Sequence, residues 1–285
     1  MTNLPYFLLT KSVGLYINIL SFVIPKKAFQ LAYAFFSEPR KGKLYTNKLP
    51  KILEESKTEI LPYGDEYIQT YTWEGNETVI LLIHGWESNA ARWKVLLPHL
   101  KKSKSTIIAI DAPAHGMSSG TEFNIPKYAE FIHVAVKKFQ PHYLIGHSIG
   151  GNCCLYYQSI YQNTTIEKMV ILGAPCELKI ILQNYITLLG LNSKILKAFQ
   201  AFYLSRFQIK IDQFSGEQFA STLNIKGLVA HDINDTVVAF EEGKKIAHTW
   251  PGVEFIETMD LGHSMNDEEL HKKISQFLFE IELTQ

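Results

Sequence analysis

Short apolar segments that alternate with helical segments constrain the fold of this chain most. From about residue 58 onward, alternating or wholly apolar runs predict strands at 66–73, 78–83, 106–111, 142–147, 168–172, 226–231 and 253–258. Helical patterns lie between them, at 90–101, 127–139, 151–161, 238–248 and 268–280. Strands that alternate with helices predict an α/β fold with a mainly parallel sheet covered on both faces.

Two segments fall outside this alternation and define the expected domain organisation. Residues 176–223 are rich in Leu, Ile, Phe and Tyr at helical spacing, and we interpret them as a small helical cap inserted into the core of residues 58–175 and 224–285. Some aromatic residues of the cap are expected to face a substrate pocket, and the alternative is that they only form a small core of their own; the candidates are Phe199, Phe202, Tyr203 and Phe207. Residues 1–57 are expected to form an amphipathic helical extension.

The N-terminal extension combines an apolar helix with a basic surplus. The run 13–24 is almost wholly apolar, and Lys11, Gly14, Asn18 and Ser21 form one narrow polar stripe before Pro25 ends it. A run of this length is too short to span a bilayer, which takes roughly 20 residues, and it lacks the pattern of a signal peptide. Docking on the catalytic domain, anchoring at a membrane interface and an uncleaved targeting signal therefore stay open.

Charge and cysteine usage narrow the classes of partner. The 28 basic and 28 acidic residues cancel, so the chain as a whole has no surplus that would indicate nucleic acid. Residues 1–57 nevertheless hold nine basic and three acidic residues, which indicates an anionic membrane surface or simply solvated lysines. Cys153, Cys154 and Cys176 have no metal-ligand spacing. They predict buried thiols in a cytoplasmic protein, with membrane association through the N-terminal helices as an open alternative.

The segment Gly146-His147-Ser148-Ile149-Gly150 joins a predicted strand to a predicted helix. Gly-x-Ser-x-Gly in that context predicts a nucleophile elbow, a tight turn that exposes a serine hydroxyl at a helix N-terminus. Gly116-Met117-Ser118-Ser119-Gly120 matches the same pattern, but no strand leads directly into it and a loop follows it. Ser148 is therefore the candidate nucleophile rather than Ser118.

A serine nucleophile needs a base, and the base needs a group that orients it. His263 follows the last predicted strand and can reach the ends of the central strands, so we expect it to be the base. Asp235 lies in the loop after the strand 226–231 and is the expected carboxylate. Asp232 is the alternative, better suited to a turn, and Asp260 is a weaker candidate because it is so close to His263 in sequence.

Donors for an oxyanion are expected from two backbone N–H groups. Ile149 directly follows the nucleophile, and Trp86 follows the predicted strand 78–83 in the sequence His84-Gly85-Trp86. The glycine at 85 lets the backbone turn sharply. The Trp86 indole is expected to line the acyl side of the pocket, and the alternative is an aromatic residue at the rim without substrate contact.

Over roughly residues 58–283 the chain resembles the α/β-hydrolase fold superfamily, in particular members with a His-Gly oxyanion loop and a helical cap. The resemblance rests on residues 84–86, on residues 111–118, on residues 146–151 and on the order of Ser148, Asp235 and His263. It implies that residues 111–118 form a structural loop at the mouth of the site. Ala114 stands where the family usually has glycine.

These residues predict a serine hydrolase that cleaves a carboxylic ester or thioester with an apolar group through an acyl-enzyme on Ser148. A small-molecule acyl substrate is the expected partner, and no cofactor or metal is expected. Acyl transfer or carbon–carbon bond hydrolysis on the same residues is the alternative within enzymes. A membrane-associated protein that keeps the fold without catalysis is the alternative outside them.

Overall fold

A computed structural model of the chain describes residues 4–280 and confirms the predicted α/β architecture. The strands are β1 (Lys57–Tyr63), β2 (Glu66–Trp73), β3 (Asn76–Ile83), β4 (Ser105–Ile110), β5 (Tyr143–His147), β6 (Lys168–Leu172), β7 (Lys226–Asp232) and β8 (Glu254–Thr258). The helices are α1 (Leu4–Val23), α2 (Pro25–Ser37), α3 (Lys51–Glu54), α4 (Leu97–Lys101), α5 (Ile125–Phe139), α6 (Ile149–Tyr161), α7 (Leu178–Leu189), α8 (Ser193–Phe207), α9 (Gly216–Ala220), α10 (Phe240–Thr249) and α11 (Glu268–Phe279).

Within residues 4–280, the strands form one eight-stranded sheet in the order β1-β2-β4-β3-β5-β6-β7-β8. The β1–β2 and β2–β4 pairs are antiparallel, and every other pair is parallel. The carboxyl ends of β3 to β8 therefore meet at one edge of the sheet. In open α/β sheets this edge is where ligands bind, so the loops after these strands are placed to build a site.

The central strands are apolar on both faces because helices cover both. In β3, the residues from Ile80 to Ile83 are all fully buried. Ile80 and Leu82 share one core with Leu100 of α4 and Ile274 of α11. Helices α5 and α6 also pack on β3, and α6 packs on β5 and β6. Such burial on two faces gives a strand a continuous apolar sequence instead of an alternating one.

Two segments of the sheet region differ from the sequence prediction. The predicted helix 90–101 is a 3₁₀ turn at Ala90–Lys94 followed by α4, whose second residue is Pro98. Proline suits the first turn of a helix but interrupts one that is already running. Strand β1 is not among the predicted strands, and it lies at the end of the sheet, where the missing N–H of Pro62 costs little.

The chain divides into two compact units whose boundaries differ from the predicted ones. The helical unit comprises the described residues up to Glu38 together with Glu177–Ser215, and the sheet unit comprises the rest. Residues 39–57 belong to the sheet unit: Leu44 N–H donates to Gly116 O at 3.0 Å, and Leu53 is fully buried in the sheet core. Residues 216–223 belong there too, because α9 packs on α6 and α10.

The helical unit is formed by α1, α2, α7 and α8. Phe199 of α8 is fully buried, and its ring contacts those of Phe29, Phe36 and Tyr185. The N-terminal helices thus pack on the inserted helices. Helix α1 extends over 20 residues, longer than the predicted apolar run. Among the described helices, none has both the length and the apolar character needed to cross a membrane.

Candidate active site

Ser148 lies at the sharp turn between β5 and α6. Its backbone has φ 55° and ψ −132°, a strained conformation for a residue with a side chain. Its N–H donates to Leu172 O at 2.8 Å, which ties the turn to the end of β6. A Cβ at Gly146 would lie 2.6 Å from Gly151 Cα, and one at Gly150 would overlap the backbone of Ile83 and His84. Both glycines are therefore needed for the strand, the turn and the helix to approach each other.

His263 bridges Ser148 and Asp235 through its two ring nitrogens. His263 Nε2 lies 2.9 Å from Ser148 Oγ, and His263 Nδ1 lies 2.8 Å from Asp235 Oδ2. An ionised carboxylate only accepts, so Nδ1 carries the proton and Nε2 offers its lone pair to the Ser148 hydroxyl. The three side chains predicted from sequence thus form one continuous chain of hydrogen bonds that can remove the serine proton.

Asp235 is held as a buried, ionised carboxylate. Its side chain is fully buried, and its second oxygen, Oδ1, accepts from the N–H groups of Val237 at 2.8 Å and Val238 at 3.0 Å. Burial opposes ionisation, but the hydrogen bonds from His263, Val238 and Val237 outweigh it and lower the pKa of Asp235 below its usual value. The carboxylate therefore keeps one orientation and its negative charge beside the imidazole.

The other two aspartates near the site organise the loops instead. Asp232 accepts hydrogen bonds from the Thr258 hydroxyl and from the N–H groups of Leu261 and Asn234. Burial works against ionisation here as well, yet these bonds lower the pKa of Asp232. Asp260 is exposed and accepts from the Asn234 side chain at 2.8 Å. Neither carboxylate is hydrogen-bonded to His263, so the geometry selects Asp235 among the three.

Two residues that the sequence did not single out hold the loop of His263. His147 Nε2–H donates to His263 O at 2.7 Å, and Arg92 Nη2 donates to Ser264 O at 2.7 Å. Burial keeps the pKa of His147 well below its usual value, so its ring is neutral. The position of His147 beside the nucleophile was a usable signal. Arg92 is far from Ser264 in the sequence, and nothing in the sequence indicated this contact.

The loop after β3 lies directly against the nucleophile. A Cβ at Gly85 would come within 2.8 Å of Ser148 Cβ, so only glycine allows this approach. His84 is fully buried, donates from Nδ1 to Gly85 O at 2.7 Å, and accepts at Nε2 from Ala112 N–H at 2.9 Å. Burial holds its pKa far below the usual value, which fixes this neutral form. The neighbouring Trp86 backbone is thereby positioned by a rigid loop.

Residues 111–118 form a hydrogen-bonded loop around the buried Asp111. Its carboxylate accepts from the Tyr71 hydroxyl and from the N–H groups of Ala90 and Met117, each at 2.8–2.9 Å. Burial raises the pKa of Asp111 to about 6. Ala114 has φ 65°, a conformation that favours glycine, so the usual glycine suits this position better and the alanine is accommodated at a cost in backbone strain.

The competing serine, Ser118, is part of this loop and is only 2% exposed. Its hydroxyl donates to Asp111 O at 2.7 Å and accepts from Gln69 N–H at 2.9 Å. In the described part of the chain, no histidine or carboxylate side chain is hydrogen-bonded to this hydroxyl. One of its two hydrogen bonds closes the loop on Asp111, and the other connects the loop to Gln69 of β2. The second Gly-x-Ser-x-Gly match is therefore structural.

The aromatic residues expected to contact substrate lie in two places. Trp86 is partly exposed in the sheet unit, and its ring packs at 5.3 Å on those of both His115 and Phe123. Phe199, Phe202 and Tyr203 lie in the helical unit, where Phe202 also packs on Phe29. Packing explains these three rings without a ligand, and substrate contact by any of the four stays a prediction. In residues 4–280, no cluster of three or more His, Cys, Asp or Glu is arranged to hold a metal ion.

Comparison with known proteins agrees with this geometry. The family described as alpha/beta hydrolase fold matches residues 78–249. A serine hydrolase-like protein of Danio rerio is 32% identical over 99 residues, which are 33% of this chain and 30% of that protein. Phospholipase YtpA of Bacillus subtilis is 27% identical over 137 residues, 45% of this chain and 48% of that protein. These matches span less than half of either relative.

Among solved structures, a bromoperoxidase from Bacillus anthracis aligns with a TM-score of 0.61 at 20% sequence identity, covering 78% of this chain and 99% of that one. At this identity the likeness concerns the fold alone. The family match covers more than half of the chain and includes the nucleophile turn, the Asp235 loop and the strands that position them. The chain therefore belongs to the alpha/beta hydrolase fold family.

Proposed function

We propose that this protein is a serine hydrolase that cleaves a carboxylic ester or thioester carrying an apolar group. The observation that carries the proposal is the chain of hydrogen bonds from Ser148 Oγ through His263 to Asp235, at 2.9 and 2.8 Å. A serine hydroxyl, a neutral imidazole and a buried carboxylate in this order are the groups that acyl transfer to serine requires.

In the proposed mechanism, Ser148 Oγ attacks the substrate carbonyl while His263 Nε2 takes its proton. The tetrahedral intermediate collapses, the bond to the alcohol or thiol breaks, and His263 gives its proton to that leaving group. Water then attacks the acyl-Ser148 ester, again losing a proton to His263, and the acid leaves as Ser148 regains its hydrogen. Asp235 stabilises the imidazolium at both stages and keeps the proton of Nδ1 in place.

The oxyanion is proposed to bind the N–H groups of Trp86 and Ile149. Ile149 is the first residue of α6, and a helix leaves its first N–H groups without intrahelical partners. Gly85, the residue before Trp86, lies directly against Ser148. Each such donor contributes about 3–4 kcal/mol to stabilisation of the transition state.

Two features support an ester or thioester with an apolar group. Trp86 is partly exposed in the loop that lies against Ser148, and the buried ring of Phe123 packs on it at 5.3 Å. One relative is named a phospholipase and another a serine hydrolase-like protein, and phospholipids carry carboxylic esters of long acyl chains. Acyl transfer and carbon–carbon bond hydrolysis have no observation of their own in this structure.

The proposal is tested by hydrolysis of nitrophenyl esters and acyl-CoA thioesters of increasing acyl length. Wild-type protein is expected to hydrolyse at least one series, and a burst of leaving group equal to the enzyme concentration is expected where release of the acyl group by water is the slower step. Ser148→Ala should abolish turnover, whereas Ser118→Ala is the matched control and should retain it. Turnover that survives in Ser148→Ala, or that disappears only in Ser118→Ala, would overturn the assignment.

A further inference from the structure

Helix α1 presents its polar side to the protein. Lys11 Nζ donates to Thr187 O at 2.9 Å, and Asn18 Nδ2 donates to Gly190 O at 2.8 Å. Asn18 Oδ1 accepts from the N–H of Asn192 at 2.8 Å, and Asn192 Nδ2 donates to Ser21 Oγ at 2.9 Å. The polar stripe of α1 is thus satisfied by the end of α7 and the start of α8, and both helices belong to the same unit as α1.

The same side of α1 is packed too closely to turn outward. A Cβ at Gly14 would overlap the carbonyl oxygen of Leu189, so the two helices meet at a glycine. Ile17 on this side is fully buried. The rotation of α1 about its own axis is therefore fixed by contacts along its length, and its opposite side is held outward.

That outward side is predominantly apolar, and the exposed Ser12 within it turns its hydroxyl to the Leu8 carbonyl. Seven large side chains of α1 are between 55% and 72% exposed: Leu8, Leu9, Leu15, Tyr16, Ile19, Phe22 and Val23. Their spacings of seven, three and four residues place them on one face of the helix. A helix on a water-facing surface has the reverse arrangement, with its apolar stripe inward. A contiguous apolar face of this kind marks an interaction surface.

Positive charge lies at the C-terminal end of this face. The first turn of α2 contains two exposed lysines, Lys26 and Lys27. Lys194 Nζ lies 3.9 Å from the centre of the Phe22 ring. The two sequence segments of the helical unit carry eight basic residues and three acidic ones, whereas the whole chain is neutral. Helix α1 itself, Leu4–Val23, contains no Asp or Glu.

From these observations we propose that the exposed face of α1 (residues 8–23) docks into the interface of an anionic phospholipid bilayer. The apolar side chains enter the boundary between headgroups and acyl chains, and the lysines bind lipid phosphates. Tyr16 and Phe22 are residue types suited to that depth. A second copy of the chain fits less well, because its helical unit would bring the same positive surplus to the contact. The proposal is independent of the hydrolase activity.

The test is sedimentation of the full-length chain with vesicles of phosphatidylcholine and phosphatidylglycerol in equal amounts, and with vesicles of phosphatidylcholine alone. Wild type should bind the anionic vesicles and be released by salt. Leu15→Glu, Ile19→Glu and Phe22→Glu should each weaken binding about tenfold through lost apolar insertion. Lys26→Gln and Lys27→Gln should each weaken it about fivefold.

Matched controls come from exposed apolar residues of the sheet unit. Ile160 on α6 is 50% exposed and Met259 is 63% exposed, so Ile160→Glu and Met259→Glu add the same charge elsewhere. Both should bind vesicles as wild type does, and all variants should keep the wild-type melting temperature. Folded wild type that fails to bind anionic vesicles would overturn the proposal. So would equal losses in the control variants, or a concentration-dependent dimer that Ile19→Glu breaks without any vesicle binding.

Discussion

Replacing Asp235 by Asn tests the geometry of the site most specifically, because it changes one atom and forces a choice between two orientations. If the amide oxygen keeps accepting from Val237 and Val238, the NH₂ group faces His263 Nδ1. Nδ1 must then accept, the ring proton moves to Nε2, and Nε2 can no longer take the proton of Ser148. If the amide turns over, His263 keeps its useful tautomer, but the part-buried N–H groups of Val237 and Val238 face an NH₂ donor.

The expected loss of activity follows from the free-energy cost of the orientation in which the amide is turned over. Each such N–H left without an acceptor costs about 1–3 kcal/mol, so the active orientation lies about 2–6 kcal/mol above the inactive one. Since 1.36 kcal/mol corresponds to a tenfold change, Asp235→Asn should lower kcat/KM by roughly 10²–10⁴-fold with little change in fold. The assay is hydrolysis of the best nitrophenyl ester, alongside a thermal melt of each variant.

Asp260→Asn is the matched control, since Asp260 lies in the neighbouring loop, is exposed, and contacts Asn234 rather than His263. It should retain kcat/KM within about threefold, as surface substitutions usually do. If Asp235→Asn kept activity within fivefold of wild type, or if Asp260→Asn produced the larger loss, the assignment of the orienting carboxylate would be wrong.

Three further predictions concern the surroundings of the site. Ser118→Ala should leave activity but destabilise the fold by about 1–3 kcal/mol, because the Gln69 N–H loses its buried acceptor; equal urea midpoints for wild type and variant would contradict this. Gly85→Ala should lower kcat/KM about 100-fold, because its methyl group displaces Ser148; unchanged kinetics would show that the loop has room. Burial lowers the pKa of His271 to about 4, whereas its pKa in the unfolded chain is about 6.5. As the pH falls below about 6.5, the unfolded chain therefore binds a proton that the folded chain does not bind, and the wild-type protein loses stability. The stability of His271→Leu relative to wild type should thus increase by about 2 kcal/mol from pH 7 to pH 5 in urea titrations, and a constant difference would refute the sign.

Local patterns were sufficient to predict the sheet and the three side chains that the structure joins by hydrogen bonds at the candidate site. The turn at Ser148 needs particular glycines within a few residues, and these are visible in the sequence. Asp235 and His263 follow strands whose carboxyl ends must meet at one edge, so their proximity follows from the α/β alternation alone. The choice of Asp235 over Asp232 was made on its reach beyond the strand, and the hydrogen bonds agree with it.

Contacts between segments that are far apart in the sequence could not be predicted from local patterns. Lys11, Asn18 and Ser21 form the narrower side of an apolar helix. Sequence alone does not show that backbone carbonyls at the end of α7 accept from Lys11 and Asn18, or that Asn192 donates to Ser21. For Phe199 and Phe202 the sequence leaves open a pocket or a small core, because it does not show their ring partner on α2, Phe29, which lies some 170 residues earlier in the chain. Periodicity identifies an apolar face but not the element that covers it.

The most direct test of the account is covalent labelling with a fluorophosphonate, followed by mapping of the modified peptide. The folded wild-type protein should gain one adduct, located on Ser148, and His263→Ala should label far more slowly because the hydroxyl loses its base. Ser148→Ala should gain none, while Ser118→Ala should label like wild type. An adduct on another residue, or no adduct on protein shown to be folded, would contradict the proposal that Ser148 is an activated nucleophile.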